Sequence, residues 1–438
     1  MALKTEKECR EILQKVLSFS KADECEANFN GSTQGNIRYA RNTVSTSGIV
    51  KNETLVVASS YGKKSGTATI NEFDDASLEK VVRRSEELAK LAPENPEYVE
   101  FLGPQKYASA KTYFDSTANV SPEYRAKSAA ASINPSKSAD LTAAGFLNDS
   151  AGFQSMMNSK GLFAYNTQTN VNFTVTVRTA DGTGSGWVSR DYNDVSKLDT
   201  MRASKIAVDK AQMSKNARAI EPGKYTVILE PAAASGLLQN LFFSFNARQA
   251  DEGRSFLAKA GGGTKLGEKI VDERVNIYTD PTHPEVPSAT WIGDGRPVTK
   301  RYLIKNGVVE NLFYSRYWAR KKGVEAVPFP TNGIMDGGDA STEDLIKDTR
   351  RGILVTRTWY IRTVDPQTIL LTGLTRDGTF FIEDGQIKFP VKNFRFNESP
   401  VIMLNNLETL GKPVRFNGNL IPPMKIRDFT FSSLSDAV

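Results

Sequence analysis

At 438 residues, 39% hydrophobic and 24% charged, the chain has the composition of a soluble globular protein and is too long for one compact core, so two or three domains are expected. No apolar run approaches the roughly 18–20 residues that span a bilayer. The opening MALKTEKECREILQKVL interleaves charges with apolar residues, which speaks against a secretory signal and for a cytoplasmic location. The net charge of +6 is spread over short, distant basic clusters (Lys63-Lys64, Arg83-Arg84, 320–322, Arg350-Arg351), the pattern of solvated faces rather than of a nucleic-acid surface.

The spacing predicts a first helix capped by Thr5 with Glu8 three residues on, its apolar stripe made by Cys9, Ile12, Leu13, Val16 and Leu17. Alternation then takes over: Cys25, Ala27 and Phe29 mark a short strand, with further strands near 36–39, 54–59 and 67–70. A second helix, with Ser77 as its expected cap, carries Leu78, Val81, Val82 and Leu88 and stops at Pro93. These elements define an N-terminal α+β domain, 1–92. Prolines at 93, 96 and 104 mark a linker.

A small middle α/β unit, 107–220, is expected next. Ser121-Pro122-Glu123 opens a helix with proline in its first turn. Strands are predicted at 162–165 and 171–179, the second alternating Val171, Phe173, Val175 and Val177, and a long helix at about 196–218. From 221 to 438 the pattern is one strand at 225–230, an apolar helix LLQNLFFSF at 237–245, and many short strands. Asp294-Gly295, Asn306-Gly307, Asp377-Gly378 and Asp384-Gly385 read as hairpin turns. The fold class is therefore α+β, ending in a largely antiparallel β domain with a core helix.

Few motifs carry chemistry. The glycine-rich DGTGSGW (181–187) is followed by no helix whose N-terminus would hold a phosphate, so it reads as a hairpin or loop, as does 261–263. Asp336 and Asp339 lack the spacing of a calcium loop, whereas Ser341 with Asp344 fits a helix cap. Cys9 and Cys25 form neither a disulfide framework nor a metal clip and read as buried thiols. His283 is the only histidine, so one copy of the chain cannot build a two-histidine zinc site, and no nucleophile elbow is present.

Seven segments in order along the chain, among them NSKGLFAYNT, ARAIEPGKYTVILEPAAASGLL, GRSFLAKAGGGTKLG, LIKNGVVENLFYSRYWARKKG and PPMKIRDFTFSSLSDAV, resemble the TldD/PmbA (TldD/TldE) family, also described as modulators of DNA gyrase. The resemblance implies a two-subunit intracellular zinc metallopeptidase whose TldD-type chain carries an H-E-x-x-x-H helix and a cysteine in a C-G-K segment. Two imidazoles and a thiolate would hold zinc with one open position for water, and the glutamate would take the water's proton. Aligned on that pattern, Gln239 and Asn240 stand in place of the first histidine and the glutamate, Ser244 in place of the second histidine, and Leu410 in place of the cysteine.

The chain therefore resembles the PmbA/TldE type, which lacks the metal site. The resemblance implies no catalytic residue and no cofactor in this chain, zinc in a TldD-like partner, and extended or unfolded peptides as substrate. For contact with peptide, Arg357 and Tyr360 on the strand-like run 355–361 are the candidates, against the plainer reading of an ordinary sheet strand with exposed basic residues. The alternative is a partner-independent homodimeric peptide- or protein-binding module, related to gyrase as the older family name has it.

Overall fold

The computed structural model describes residues 3–435. Helix α1 (Glu6–Phe19) begins with the expected reciprocal cap between Thr5 and Glu8. Strands β1 (Glu24–Ala40), β2 (Thr43–Tyr61) and β3 (Lys64–Ile70) follow, then α2 (Asp75–Leu91). Asp74, not Ser77, caps α2: its carboxylate accepts from the Ser77 N–H at 3.1 Å, which makes Ser77 the third helical residue. The short α3 (Asp115–Ala118) precedes α4 (Pro122–Ser138), whose cap is Ser121. Strands β4 (Leu141–Asn158), β5 (Phe163–Thr179) and β6 (Ser185–Tyr192) and helix α5 (Thr200–Met213) complete the first half.

Its six strands form one antiparallel sheet in the order β3-β2-β1-β4-β5-β6. Because β1 pairs with β4 from Glu26↔Asn158 to Tyr39↔Gly145, the sheet runs on across the proline-rich linker. Two cores lie against it. Cys9, Leu13 and Val16 of α1 and Leu78 and Val82 of α2 pack with Phe29, Leu55 and Val57. Ala129 and Ile133 of α4 and Ala203 and Ala207 of α5 pack with Tyr39, Leu147, Phe173 and Val175. The glycine-rich 181–184 segment is the turn of the β5–β6 hairpin.

The second half starts with β7 (Gly223–Leu229), α6 (Pro231–Phe243) and α7 (Ala247–Asp251). Short elements follow: β8 (Ile277–Thr279), β9 (Arg301–Lys305), β10 (Val308–Val309), α8 (Arg316–Lys322), β11 (Ile334–Met335) and α9 (Thr342–Lys347), the last with the expected Ser341/Asp344 capping box. Then come β12 (Arg351–Asp365), β13 (Leu370–Glu383), β14 (Gln386–Pro390), β15 (Phe394–Glu398), α10 (Pro400–Asn405), β16 (Leu407–Leu410), β17 (Val414–Phe416), β18 (Asn419–Ile421) and β19 (Met424–Leu434).

One sheet runs β12-β7-β19-β15-β13-β14, and β12 also pairs with β13, so β12, β7, β19, β15 and β13 close into a ring. A second sheet runs β10-β9-β8-β11-β18-β17. The pairings within both sheets are antiparallel except β7–β12 and β11–β18. Asp377-Gly378, expected as a turn, lies inside β13. Asp377 takes φ +55° and Gly378 φ +120°, and the register slips between Val355 and Arg357 on the facing strand, so this pair forms a bulge. Among the described residues no helix is long and apolar enough to cross a membrane.

Candidate functional site

Helix α6 carries three of the four positions singled out by the sequence. Pro231 starts it, where a missing N–H costs nothing. The Glu230 carboxylate before it is held by Lys210 at 2.6 and 2.7 Å. Ala233, Ala234, Leu237, Leu238 and Leu241 are fully buried against the ring. Gly236 lets the helix lie close to β12: a Cβ there would stand 2.7 Å from Ile361 Cδ1 and 3.0 Å from Thr358 Oγ1. The Thr358 hydroxyl donates to the Ala233 carbonyl at 3.0 Å, fixing the same contact.

One turn further along α6 from Gly236, Gln239 is exposed and Asn240 half-buried. The Asn240 Nδ2 donates to the Gly236 carbonyl one turn back at 2.9 Å. Ser244, buried, ends the helix, its hydroxyl donating to the Leu241 carbonyl at 2.7 Å. Leu410 lies at the end of β16, paired with Met424 of β19, and its alkyl side chain packs on the main core. These groups do not fit zinc. The set offers two neutral amides, a hydroxyl and an alkyl chain, with no imidazole, thiolate or carboxylate, and the Asn240 amide nitrogen and Ser244 hydroxyl are spent on helix carbonyls. No group of three or more His, Cys, Asp or Glu side chains is placed to hold a metal ion among the described residues.

Beside Gln239 is a cavity of about 210 Å³, enclosed by α6, the 329–333 segment and the turn joining β17 to β18. Its walls are held from behind. The Asn332 side chain accepts from the Thr279 hydroxyl and the Asp280 N–H and donates to the Asp280 and Val286 carbonyls. Asn419 Oδ1 accepts from the Gly333 N–H at 2.7 Å. Arg415, one strand away, is tied to Asp191 of β6 at 3.0 Å, which also accepts from the Gly418 N–H, so the first half of the molecule positions this turn. Phe243 and Phe329 stand at the cavity with centroids 6.4 Å apart and planes at 19°.

Arg357 and Tyr360 meet different surroundings. Arg357 turns inward, its Nε 2.8 Å from the buried Asp377 carboxylate, and its guanidinium lies 4.4 Å from the Trp187 ring and 5.1 Å from that of Trp359. Burial is the largest influence on Arg357 and holds its pKa below the ordinary guanidinium value, against the pull of Asp377. Asp377 also accepts from the Ser185 hydroxyl, joining β6 to the β13 bulge. Tyr360 is exposed in the left-handed region (φ +53°), with Arg362 4.3 Å from its ring. The sequence reading missed Trp187, Trp359, Arg376 and Asp377 as one cluster. The Asp-Gly pair was its one local mark, and that pair looks like a turn. His283, in the 280–286 turn, accepts at Nδ1 from the Glu285 N–H at 3.3 Å.

A closed β ring backing an apolar helix, with a second sheet and an N-terminal open sheet, is the architecture on which the comparisons bear. The PmbA/TldA metallopeptidase central-domain model matches residues 119–215, and the C-terminal-domain model matches residues 222–433. The chain belongs to the PmbA/TldD metallopeptidase family. A metalloprotease of Methanothermobacter thermautotrophicus is 24% identical over 293 residues, 61% of this chain and 62% of that relative. The fold is that of TldE from Thermococcus kodakarensis (TM-score 0.86, 20% identity, 97% of this chain and 99% of that one). It is also that of a Thermotoga maritima protein named as a candidate modulator of a DNA gyrase (TM-score 0.87, 18% identity, 97% and 100%).

Proposed function

We propose that this chain is the non-catalytic, PmbA/TldE-like subunit of a cytoplasmic zinc metallopeptidase acting on extended or unfolded peptides, with zinc and the catalytic glutamate supplied by a TldD-like partner. The observation that carries the reading is the chemistry at Gln239, Asn240, Ser244 and Leu410: at all four positions the side chain is one that neither holds zinc at neutral pH nor takes a proton from water. The role left to the chain is architectural, walling a chamber with the ring and α6, with Tyr360 and the outer part of β12 open to an extended peptide and Arg357 braced by Asp377 behind them.

The test is to purify the chain alone and together with a TldD-like chain, and to measure mass by light scattering, zinc by elemental analysis and hydrolysis of an unfolded peptide. A mixed dimer with zinc only when the partner is present, and hydrolysis only by the pair, is the expected result. Stoichiometric, chelator-resistant zinc on this chain alone would overturn the reading. A stable homodimer that binds peptide and ignores the partner would replace it with the binding-module alternative.

A further inference from the structure

We infer that the cavity beside Gln239 is a binding pocket for one uncharged apolar side chain, aromatic or large aliphatic, of an extended peptide. The inference rests on the reading of this chain as a peptide-handling subunit and says which residue class it selects. The first observation is that no charged residue lines the cavity. A lysine, arginine, aspartate or glutamate entering it would lose water and find no counter-charge, so the lining rejects ionised guests.

The second observation is the aromatic shelf. Phe243 and Phe329 keep 56% and 46% of their surface exposed. Large apolar side chains left open beside a cavity gain free energy when a guest covers them. The shelf is firm: Phe329 packs on Phe313 with centroids 4.8 Å apart, and Phe313 on the buried Phe245 at 6.3 Å. Gly333 keeps the opposite wall close, since a Cβ there would stand 3.0 Å from Phe242.

The third observation concerns polar groups. Asn332 is committed to the Thr279 hydroxyl and to backbone partners and Asn419 to backbone partners, so they shape the wall and are not free to address a guest. The Gln239 side chain, exposed at the rim, makes no hydrogen bond among the described residues. Its amide offers both a donor and an acceptor, the complement of one peptide group. The volume, about 210 Å³, falls below the roughly 300–1,000 Å³ of pockets that take a whole drug-sized ligand and suits a single side chain. At the position aligned with the first histidine of the family's zinc pattern, this chain presents the Gln239 amide at the rim of the pocket.

The experiment titrates capped single residues, N-acetyl-phenylalanine methylamide and its leucine, lysine and aspartate counterparts, into the full chain and follows binding by ligand-observed NMR. Phenylalanine and leucine probes are expected to bind in the millimolar range and about tenfold or more tighter than the charged probes. Phe243→Ala, at an exposed position and with its fold checked by circular dichroism, is expected to weaken the phenylalanine probe several-fold, and Gln239→Leu to weaken it less. Equal binding of charged and apolar probes, no binding of any probe, or a Phe243→Ala variant that binds as well as the parent would overturn the inference. Pairing with a zinc-bearing chain is measured separately. A chain that selects phenylalanine yet never pairs keeps this pocket and loses the subunit reading; a chain that pairs yet ignores every probe does the reverse.

Discussion

The open sheet of the first half and the closed ring of the second treat their edges in opposite ways. In the ring each of β12, β7, β19, β15 and β13 has a neighbour on both sides, and Val227, Leu229, Ile353, Val355, Phe396 and Ile426 form one apolar core with α6. One edge of the open sheet is the short β3, which pairs only with residues 55–61 of β2 and leaves the first part of β2 as an edge of its own. Residues 43–52 are therefore exposed, with Val44, Ile49 and Val50 showing 46%, 54% and 61% of their surface. That stretch holds no proline and one lysine, Lys51, so the usual devices that blunt an edge are sparse.

Its interior differs too. Tyr39 donates to Ser132, which shares a hydrogen bond with Ser204, and Arg125 grips Asp149 through two contacts of 2.6 and 2.8 Å. The difference teaches a division of labour. Closure gives α6 and its pocket a stiff backing, whereas the open sheet leaves an edge to which another chain's strand can add.

The largest effect is expected at the polar pair. Arg125→Ala leaves Asp149 buried and unpaired, and should lower stability by about 3–5 kcal/mol in urea unfolding. A loss below about 1 kcal/mol would show that this pair does not help to hold the open sheet. The ring's contact with α6 is probed by Gly236→Ala. Alanine favours an isolated helix, yet its Cβ meets Ile361 and Thr358, so a net cost of about 1–3 kcal/mol is expected. A stabilised variant would show that α6 does not sit tightly on β12.

The thiols give a pH test of the first half. Burial is the largest influence on both cysteines and raises them, Cys9 to about 11 from 9.0. A raised acid binds its proton more tightly in the folded state. Its contribution is therefore whole below pH 9 and is lost as pH rises towards about 11. Native chain should resist alkylation at neutral pH and react once unfolded, and Cys9→Ala should flatten the alkaline fall in stability. Rapid native alkylation would show that this core opens. The smallest change in stability, within about 0.5 kcal/mol, is expected for Ile49→Lys on the free edge. Light scattering should nevertheless show weaker association if β2 is where chains meet.

Part of this was legible in the chain. The caps at Thr5, Ser121 and Ser341 were readable because a hydroxyl or carboxylate reaches backbone N–H groups only a turn away. The alternation from Val171 to Val177 was readable because side chains of one strand alternate faces whatever lies beside it. Strand β4 was missed. Its run of Ala, Gly, Ser and Asn is weakly apolar, and its pairing with β1 spans more than a hundred residues of chain, so nothing local announces it. The Ser77 cap was misplaced because Asp74 and Ser77 are both competent residues three apart, and only the path of the chain decides between them.

By itself the sequence determined the capped starts of α1 and α9, the α+β class and the side-chain chemistry at 239, 240, 244 and 410, since donor chemistry belongs to a residue wherever it is placed. Only the tertiary structure decided that strands on both sides of the proline linker share one sheet, that β12 and β13 close a ring, and that Asp377-Gly378 bulges inward to meet Arg357 and Ser185. It alone gathered Gln239, Phe243, Phe329 and Asn419 around one cavity. Those residues lie up to 180 positions apart, and their meeting depends on which strand edges pair and which helix face is buried, free energies that belong to the whole packed chain and leave no period in any one segment of it.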